Sequence, residues 1–143
     1  MSVELIPYLI MDGNAQEAMS FYEKALDAKV LFSQTYGEVS EDSEGKIPSD
    51  AKNLIMHATI QIGESVLMLS DTYPGYPFQS GNQVTICIST NEIEISKRFF
   101  EGLSDGGEVE LPLQDTGFSP CYGKVVDKFG VLFQVFTHPA GQQ

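Results

Sequence analysis

The chain has 143 residues, of which 20 are acidic and 8 are lysine or arginine, and its formal net charge is −12. This balance argues against nucleic-acid or membrane-surface binding, because both need clustered basic residues. It is compatible with a neutral or cationic ligand, or with nothing beyond solubility. No apolar run reaches the ~18–20 residues of a membrane-spanning helix, and the length is enough for one domain that needs no disulfide or metal to fold.

The first residues lack the basic-then-apolar layout of a secretory signal peptide, so we expect a cytoplasmic protein. In that compartment Cys87 and Cys121 are expected to be reduced thiols.

Two segments are predicted to be amphipathic helices with similar beginnings. The first begins at Asn14, which can cap free backbone N–H groups, and Glu17 stands at the position of a capping box. The second begins at Asn91, with Glu94 three residues later, and ends in the glycine-rich stretch 104–107. Apolar residues recur at helical spacing in both, at Ala18, Phe21, Tyr22, Ala25 and Leu26 and at Ile95, Phe99 and Leu103.

Strand patterns surround each predicted helix. Alternating residues precede each helix, with Ile6, Tyr8 and Ile10 before the first and Val84, Ile86 and Ile88 before the second. Three strands are predicted after each helix, at 29–36, 53–62 and 65–70 and at 108–113, 123–126 and 131–136. The order is β-α-β-β-β twice, which predicts a duplication into modules of about 1–76 and 77–143; one α+β domain with two similar helices is the alternative.

Aligning Phe21 of the first predicted helix with Phe99 of the second places Tyr8 on Ile86, and the last strands align Met68 with Gln134. Residues 37–52 interrupt the repeat. They are acidic and polar at their start, which predicts a solvated loop, with a lid over a neighbouring cleft as the alternative.

The repeat carries recognisable motifs, Asn-Ala-x-Glu-Ala-x-x-Phe-Tyr from Asn14 to Tyr22 and Asp-x-x-Gly from Asp127 to Gly130. With these the chain resembles the vicinal oxygen chelate superfamily, which includes glyoxalase I, extradiol dioxygenases, and fosfomycin and bleomycin resistance proteins. Segments at 7–9, 13–15, 56–58, 67–71, 106–107, 111–113 and 122–127 resemble its PhnB-like branch. Some members of that branch carry a label connected with ubiquinone methylation, but the chain shows no glycine-rich S-adenosylmethionine fold to support methyl transfer.

The resemblance implies an α+β fold in which two βαβββ modules enclose a cleft, and it implies a homodimer. Strand alternation then predicts that one set of residues packs under the helices: Ala58, Ile60, Ile62, Val84, Ile86 and Ile88. The alternate residues would face the cleft: His57, Thr59, Gln61, Gln83, Thr85 and Cys87. Polar groups on otherwise buried strands are typical of a binding cavity.

Enzymes of this superfamily hold a divalent metal through His or Glu ligands on the first and last strands of each module. The resemblance places those positions at Pro7, Met68, Gln83 and Gln134. Proline has no ligating side chain, a thioether does not suit hard ions, and carboxamides are weak ligands. We therefore predict neither a metal nor another cofactor, which removes glyoxalase, dioxygenase and fosfomycin-transferase chemistry.

His57 is the best acid–base candidate, because an unperturbed histidine titrates at a pH of roughly 6.5. A lone polar histidine in a pocket is the alternative interpretation, and a set of His57 with Asp71 or Cys121 is the alternative metal site. His138 lies in a segment that we expect to fray.

Cys87 is predicted to be a small buried residue, since no nearby cation is evident to make it reactive. Phe118 and Tyr122 lie in a loop at the predicted cleft rim, where they either stack on a ligand or close the barrel mouth. The aromatic segment 73–78 is predicted to belong to the same rim, with a dimer surface as the alternative.

The leading prediction is metal-independent binding of a small organic ligand, with no reaction assigned; a cationic drug, as in bleomycin resistance, is an extension of it. Eight residues are predicted to line the cleft: His57, Thr59, Met68, Gln83, Thr85, Phe118, Tyr122 and Gln134. The alternative is a metal-dependent lyase, isomerase or dioxygenase with a non-standard site. A third possibility is a structural or regulatory dimer with a vestigial cleft.

Overall fold

A computed structural model describes residues 2–39, 48–73 and 75–139. The chain divides into two compact units, Met1–Gln79 and Ser80–Gln143. Each unit is a four-stranded sheet with one long helix on one side of it, so the α+β class and the repeated βαβββ order are confirmed. No helix among the described residues is long and apolar enough to cross a membrane.

The elements of the first unit are β1 (Tyr8–Met11), α1 (Ala15–Ala25), β2 (Lys29–Thr35), the short α2 (Tyr36–Val39), a 3₁₀ turn (Ser49–Ala51), β3 (Ile55–Ile62) and β4 (Ser65–Asp71). The strands lie in the order β1-β4-β3-β2, so β1 and β2 are the edge strands. β1 runs parallel to β4, and the other neighbours are antiparallel.

The elements of the second unit are β5 (Ile86–Thr90), α3 (Ile93–Ser104), β6 (Glu108–Gln114), β7 (Tyr122–Val126) and β8 (Leu132–Thr137). They repeat the arrangement of the first unit, with the strands in the order β5-β8-β7-β6 and β5 parallel to β8.

Each helix buries its apolar stripe against the sheet of its own unit. In the first unit, Ala18 and Tyr22 of α1 are fully buried, as are Ala58, Ile60 and Leu69 of the sheet. In the second, Leu103 of α3 is buried with Val125 and Val135. The period of 3.6 in the helices and of 2 in β3 therefore indicated the buried sides correctly.

The capping role predicted for the side chain of Asn14 is wrong. Asn14 is the N-cap residue, but its side chain makes no capping hydrogen bond. The acceptor is Asp71 at the end of β4, whose Oδ1 accepts from the N–H of Ala15 at 2.9 Å. Its Oδ2 accepts from the N–H of Ile55 at 2.9 Å, so one carboxylate, only 2% exposed, joins the helix start to the sheet.

The second helix begins at Ile93 with Glu92 as its N-cap, one residue later than the predicted cap at Asn91. The strand before it also differs from expectation. Pairing with β8 begins at Ile86, so Gln83 and Val84 lie outside the sheet, and Val84 is 82% exposed instead of packing under the helix. An apolar residue extends a strand only where a neighbouring strand can pair with it.

The predicted superposition of the first strands is wrong by one residue. β1 pairs Tyr8 with Met68, while β5 pairs Cys87 with Gln134, so Tyr8 corresponds to Cys87 and not to Ile86. The connection from Thr90 to α3 is one residue shorter than the connection from β1 to α1. A helix-based alignment therefore shifts the strand by one position, which exchanges its two faces.

The interruption predicted at 37–52 is ordered where the structure describes it. α2 begins at Tyr36, and the N–H of Gly37 donates to the carbonyl of Lys52 at 2.9 Å. The acidic run at 40–47 lies outside the described residues, so its interpretation as a loop or a lid stays a prediction.

Candidate functional site

Each sheet has one side packed on its helix and one side turned away from it, and we call the second side the open face. On the first open face lie five residues that the sheet register places together: Tyr8, Phe32, His57, Thr59 and Met68. All five are exposed or half-buried. The second open face carries Cys87, Tyr122, Lys124, Gln134 and Phe136.

His57 is the centre of the first open face. Its Nδ1 lies 2.9 Å from the hydroxyl of Tyr8, and its Nε2 lies 3.3 Å from the hydroxyl of Thr59. A neutral imidazole donates from one ring nitrogen and accepts at the other, so both contacts are satisfied in either tautomer. The two contacts therefore fix the orientation of the ring.

Aromatic and sulfur groups surround this imidazole. The ring centroid of Phe32 lies 6.1 Å from that of His57, and the ring of Tyr8 lies 5.6 Å from it. Met68 on β4 pairs with Tyr8 on one side and with Thr59 on the other. The predicted set of His57, Thr59 and Met68 is thus brought together, and sequence reasoning missed Tyr8 and Phe32.

Tyr8 and Phe32 stand at the alternate positions of strands that were predicted correctly. The alignment of Tyr8 with Ile86 implied that Tyr8 packs under the helix, and no face was assigned to the strand of Phe32.

The second open face holds a chain of hydrogen bonds that joins β7, β8 and the residue before β5. The hydroxyl of Tyr122 on β7 donates to Oε1 of Gln134 on β8, and Nε2 of Gln134 donates to the hydroxyl of Thr85 at 2.7 Å. The carboxamide is therefore used at both ends. Three of the predicted lining residues meet here, although Thr85 stands just before β5 begins.

Phe118 covers this chain from the loop before β7. Its ring lies 4.9 Å from Tyr122 edge-on and 6.0 Å from Phe136 in a stacked arrangement. The side chain is 54% exposed, whereas Tyr122 beneath it is 7% exposed. Phe118 thus presents an aromatic surface to solvent beside polar groups.

A buried hydroxyl fixes the loop that carries Phe118. Oγ of Ser119 donates to the carbonyl of Thr137 at 2.6 Å and accepts from the N–H of Thr137 at 3.1 Å. The hydroxyl of Thr137 in turn donates to the carbonyl of Cys121 at 2.6 Å. The loop is therefore anchored to the end of β8, and the position of the aromatic ring is defined.

Other predicted residues stand apart from these clusters. Gln83 is exposed outside the sheet. Cys87 lies on the second open face and is exposed, not the small buried residue expected. His138 is half-buried, and its Nε2 lies 2.5 Å from the hydroxyl of Ser89. Sequence reasoning also missed Lys124, whose strand position is opposite Gln134.

Two pKa values respond to these surroundings. Partial burial raises the pKa of the Cys87 thiol above its ordinary 9.0, so little thiolate forms near neutral pH. Burial raises the pKa of Tyr36 above 10.0, and the nearby carboxylate of Asp71 adds to the effect.

The donor groups do not fit the metal that the superfamily uses. The carbonyl of Pro7 accepts from the N–H of Met68 at 3.0 Å, and Met68 offers only a thioether. Gln134 is engaged with Tyr122 and Thr85. Among the described residues, no group of three or more His, Cys, Asp or Glu side chains is placed to hold an ion.

The alternative set around His57 does not assemble with Asp71. Both carboxylate oxygens of Asp71 accept from the backbone N–H groups of Ala15 and Ile55. The imidazole contacts are with Tyr8 and Thr59.

Comparisons with known proteins agree with the fold. A family described as 3-demethylubiquinone-9 3-methyltransferase matches residues 3–136. Protein YjdN of Escherichia coli K12 is 34% identical over 138 residues, which is 92% of each chain.

Solved structures give the same result. Protein PA1353 from Pseudomonas aeruginosa matches with a TM-score of 0.83 and 32% identity over 96% of this chain and 98% of that one. The PhnB protein from Bacillus cereus, described as a putative 3-demethylubiquinone-9 3-methyltransferase, matches with a TM-score of 0.76 and 24% identity. The match covers 94% of this chain and 99% of that one. The fosfomycin resistance protein FosX from Listeria monocytogenes matches with a TM-score of 0.65 and 13% identity, over 98% of this chain and 96% of that one. This likeness shows a shared fold alone.

Proposed function

Because the chain belongs to the family described as 3-demethylubiquinone-9 3-methyltransferase, the PhnB-like branch of the vicinal oxygen chelate superfamily, we propose that it binds a small organic molecule without a metal ion. The open faces supply the binding groups. Aromatic and apolar side chains would give affinity, and the fixed hydroxyl, imidazole and carboxamide groups would orient the ligand.

One observation carries the proposal. On both open faces, polar side chains that hydrogen-bond to one another stand among exposed aromatic rings, as with His57 beside Phe32 and Tyr122 beneath Phe118. A face that only completes a core would be apolar, since each polar group there must find a partner at a net cost. Orienting groups beside apolar surface are what a ligand site requires.

The methyl transfer named in the family description is not part of the proposal, which takes only the fold from the family. The metal-dependent alternative is set aside because the side chains at the expected ligand positions are unsuited to a hard ion. We also propose, from the resemblance, that the protein is a cytoplasmic homodimer. Sedimentation velocity tests the dimer directly, and a monomer would contradict it.

The decisive experiment combines metal analysis with a fluorescent probe. Protein purified without chelator is expected to contain no stoichiometric metal. N-phenyl-1-naphthylamine, an uncharged aromatic probe that brightens in apolar sites, should bind saturably in the presence of EDTA. Stoichiometric metal, or probe binding that EDTA abolishes, would overturn metal independence.

Variants decide where the probe binds. Phe118→Ala removes an exposed ring from the second open face and should weaken probe binding about fivefold or more. Ile93→Ala is the control, because Ile93 is also an exposed apolar residue, at 40%, but begins α3 on the other side of the sheet. Equal effects of the two substitutions would contradict a site on the second open face.

The first open face is tested with His57. His57→Ala should weaken binding, while His57→Gln, which keeps donor and acceptor atoms, should retain more of it. If His57→Ala leaves the affinity unchanged, the first open face is not part of the site.

A further inference from the structure

We propose that the ligand carries an anionic oxygen group on an apolar body, and that Lys124 is the residue that binds this group. The inference rests on the proposed function, because it names the class of molecule that the second open face would take. It differs from what the net charge of −12 favours, which is a neutral or cationic partner.

The sheet register places Lys124 in the middle of the second open face. β7 lies between β8 and β6, and Lys124 pairs with Gln134 on one side and with Leu111 on the other. The preceding residue, Gly123, faces the helix: a Cβ there would lie 2.8 Å from Cε1 of Phe100 on α3. Neighbours along a strand point to opposite sides, so Lys124 is on the open face.

The surroundings of Lys124 would suit an amphipathic anion. The rings of Tyr122 and Phe118 supply apolar surface, and both ends of the Gln134 carboxamide are engaged, one with Tyr122 and the other with Thr85. Within the part of the chain that the structure describes, no carboxylate forms an ion pair with Lys124. The ammonium therefore offers donors that an incoming group can use.

Charge balance then selects the ligand class. A molecule that covers this face removes Lys124 from water, which is costly unless an opposite charge arrives with it. A neutral ligand would leave the ammonium unpaired, and a cationic ligand would repel it. Glu108, which pairs with Val126, and Glu110, which stands in the irregular stretch of β6 opposite Lys124, are the acids that β6 brings near it. Neither makes an ion pair with Lys124 in the described structure.

Two probes of the same skeleton test the inference. 1-Anilinonaphthalene-8-sulfonate is the sulfonated form of N-phenyl-1-naphthylamine, so the difference between their affinities reports the anionic group. On the natural protein we expect the sulfonate to bind more tightly. Lys124→Met should raise the Kd of the sulfonate about tenfold, corresponding to one charge-assisted contact, and leave the uncharged probe within twofold.

Matched variants exclude a general charge effect. Lys97→Met changes the net charge equally, but Lys97 lies on α3 beside Glu94, at 3.9 Å, and should not affect either probe. Lys124→Arg keeps the positive charge and should retain most of the sulfonate affinity.

The two proposals fail differently. If the uncharged probe binds and the sulfonate binds no better, or if Lys124→Met affects both probes equally, the inference about the anion is wrong and the binding function stands. If neither probe binds the natural protein, both proposals are overturned.

Discussion

The two units use the same positions with different chemistry. The last residue of β4 is Asp71, and the corresponding residue of β8 is Thr137, as the pairings with β1 and β5 show. Asp71 fixes the start of α1 and the start of β3 through two backbone N–H groups. Thr137 contacts the hydroxyl of Ser96 on α3 and the carbonyl of Cys121. Both residues thus join helix to sheet, one with a charge and one with a hydroxyl.

The open faces have diverged in the same way. By register, Met68 corresponds to Gln134, Thr59 to Lys124, and Tyr8 to Cys87. Positions under the helices stay apolar in both units, as at Ile60 and Val125 and at Leu69 and Val135, because a buried polar group there would need a partner. Polar positions are free to differ as long as each group finds a partner, so differences between the units point to where function has been adjusted.

The largest expected effect is the loss of stability on removing the Asp71 carboxylate, which joins the start of α1 to the start of β3. Asp71→Ala leaves two buried N–H groups without an acceptor and should lower the free energy of unfolding by about 3–5 kcal/mol. Urea denaturation measures the change. Asp71→Asn, which keeps one acceptor oxygen, should lose about half as much. A loss below about 1 kcal/mol for the alanine variant would contradict the role of the carboxylate.

The hydroxyl junction of the second unit should be weaker. Thr137→Val keeps the shape of the side chain but removes its bonds to Ser96 and Cys121, and should cost about 1–2 kcal/mol. The double variant with Ser96→Ala should lose less than the sum of the single variants, because the two hydroxyls contact each other at 2.6 Å. If Thr137→Val lowered the free energy of unfolding as much as Asp71→Ala does, the hydroxyl of the second unit would not be the weaker link between helix and sheet.

Alkaline pH should affect the first unit through Tyr36, which donates to the main-chain oxygen of Asp71 at 3.4 Å. Its raised pKa means that the folded protein keeps the phenol proton beyond the pH at which the unfolded chain loses it. The stabilisation is therefore complete below the ordinary pKa of 10.0 and is lost as pH rises through the higher folded value.

Tyr36→Phe should remove this part of the alkaline decline. Unfolding free energies of both proteins from about pH 8 to pH 11 measure it. Identical curves would show that Tyr36 does not contribute.

The smallest effect concerns Cys87, which stands where the first unit has Tyr8. Its raised pKa predicts slower alkylation by iodoacetamide at neutral pH than that of a free cysteine, with a rate that increases as the pH rises. Cys121→Ala provides the background, so that labelling reports Cys87 alone. Alkylation as fast as that of N-acetylcysteine at neutral pH would contradict the prediction.

The sequence was sufficient for the features that depend on local periodicity. The repeated βαβββ order and the buried side of α1 follow from spacing, and so does the common orientation of His57 and Thr59. These features depend on which side of a regular element is apolar, and neighbouring residues decide that.

Features that depend on distant pairing were not predictable in this way. Asp71 caps a helix that begins 56 residues earlier, whereas the capping-box pattern considers only the next turn. The correspondence of Tyr8 with Cys87 follows from the sheet register. The sequence pattern alone is equally compatible with aligning Tyr8 to Ile86 or to Cys87. Lys124 was missed because the strand it belongs to was not assigned a face.

The connection after Thr90 is shorter than its counterpart after Met11, yet strand pairing and the buried helix face agree between the units. The change in length is absorbed where the backbone is neither paired nor packed. For a duplicated gene, adding or removing one codon at such a place is therefore expected to leave the architecture intact, while the same event inside a strand would turn its outer residues inward. The connections from strand to helix are thus where the two units can differ in length, and where a designer can insert a residue with little risk of disrupting the fold.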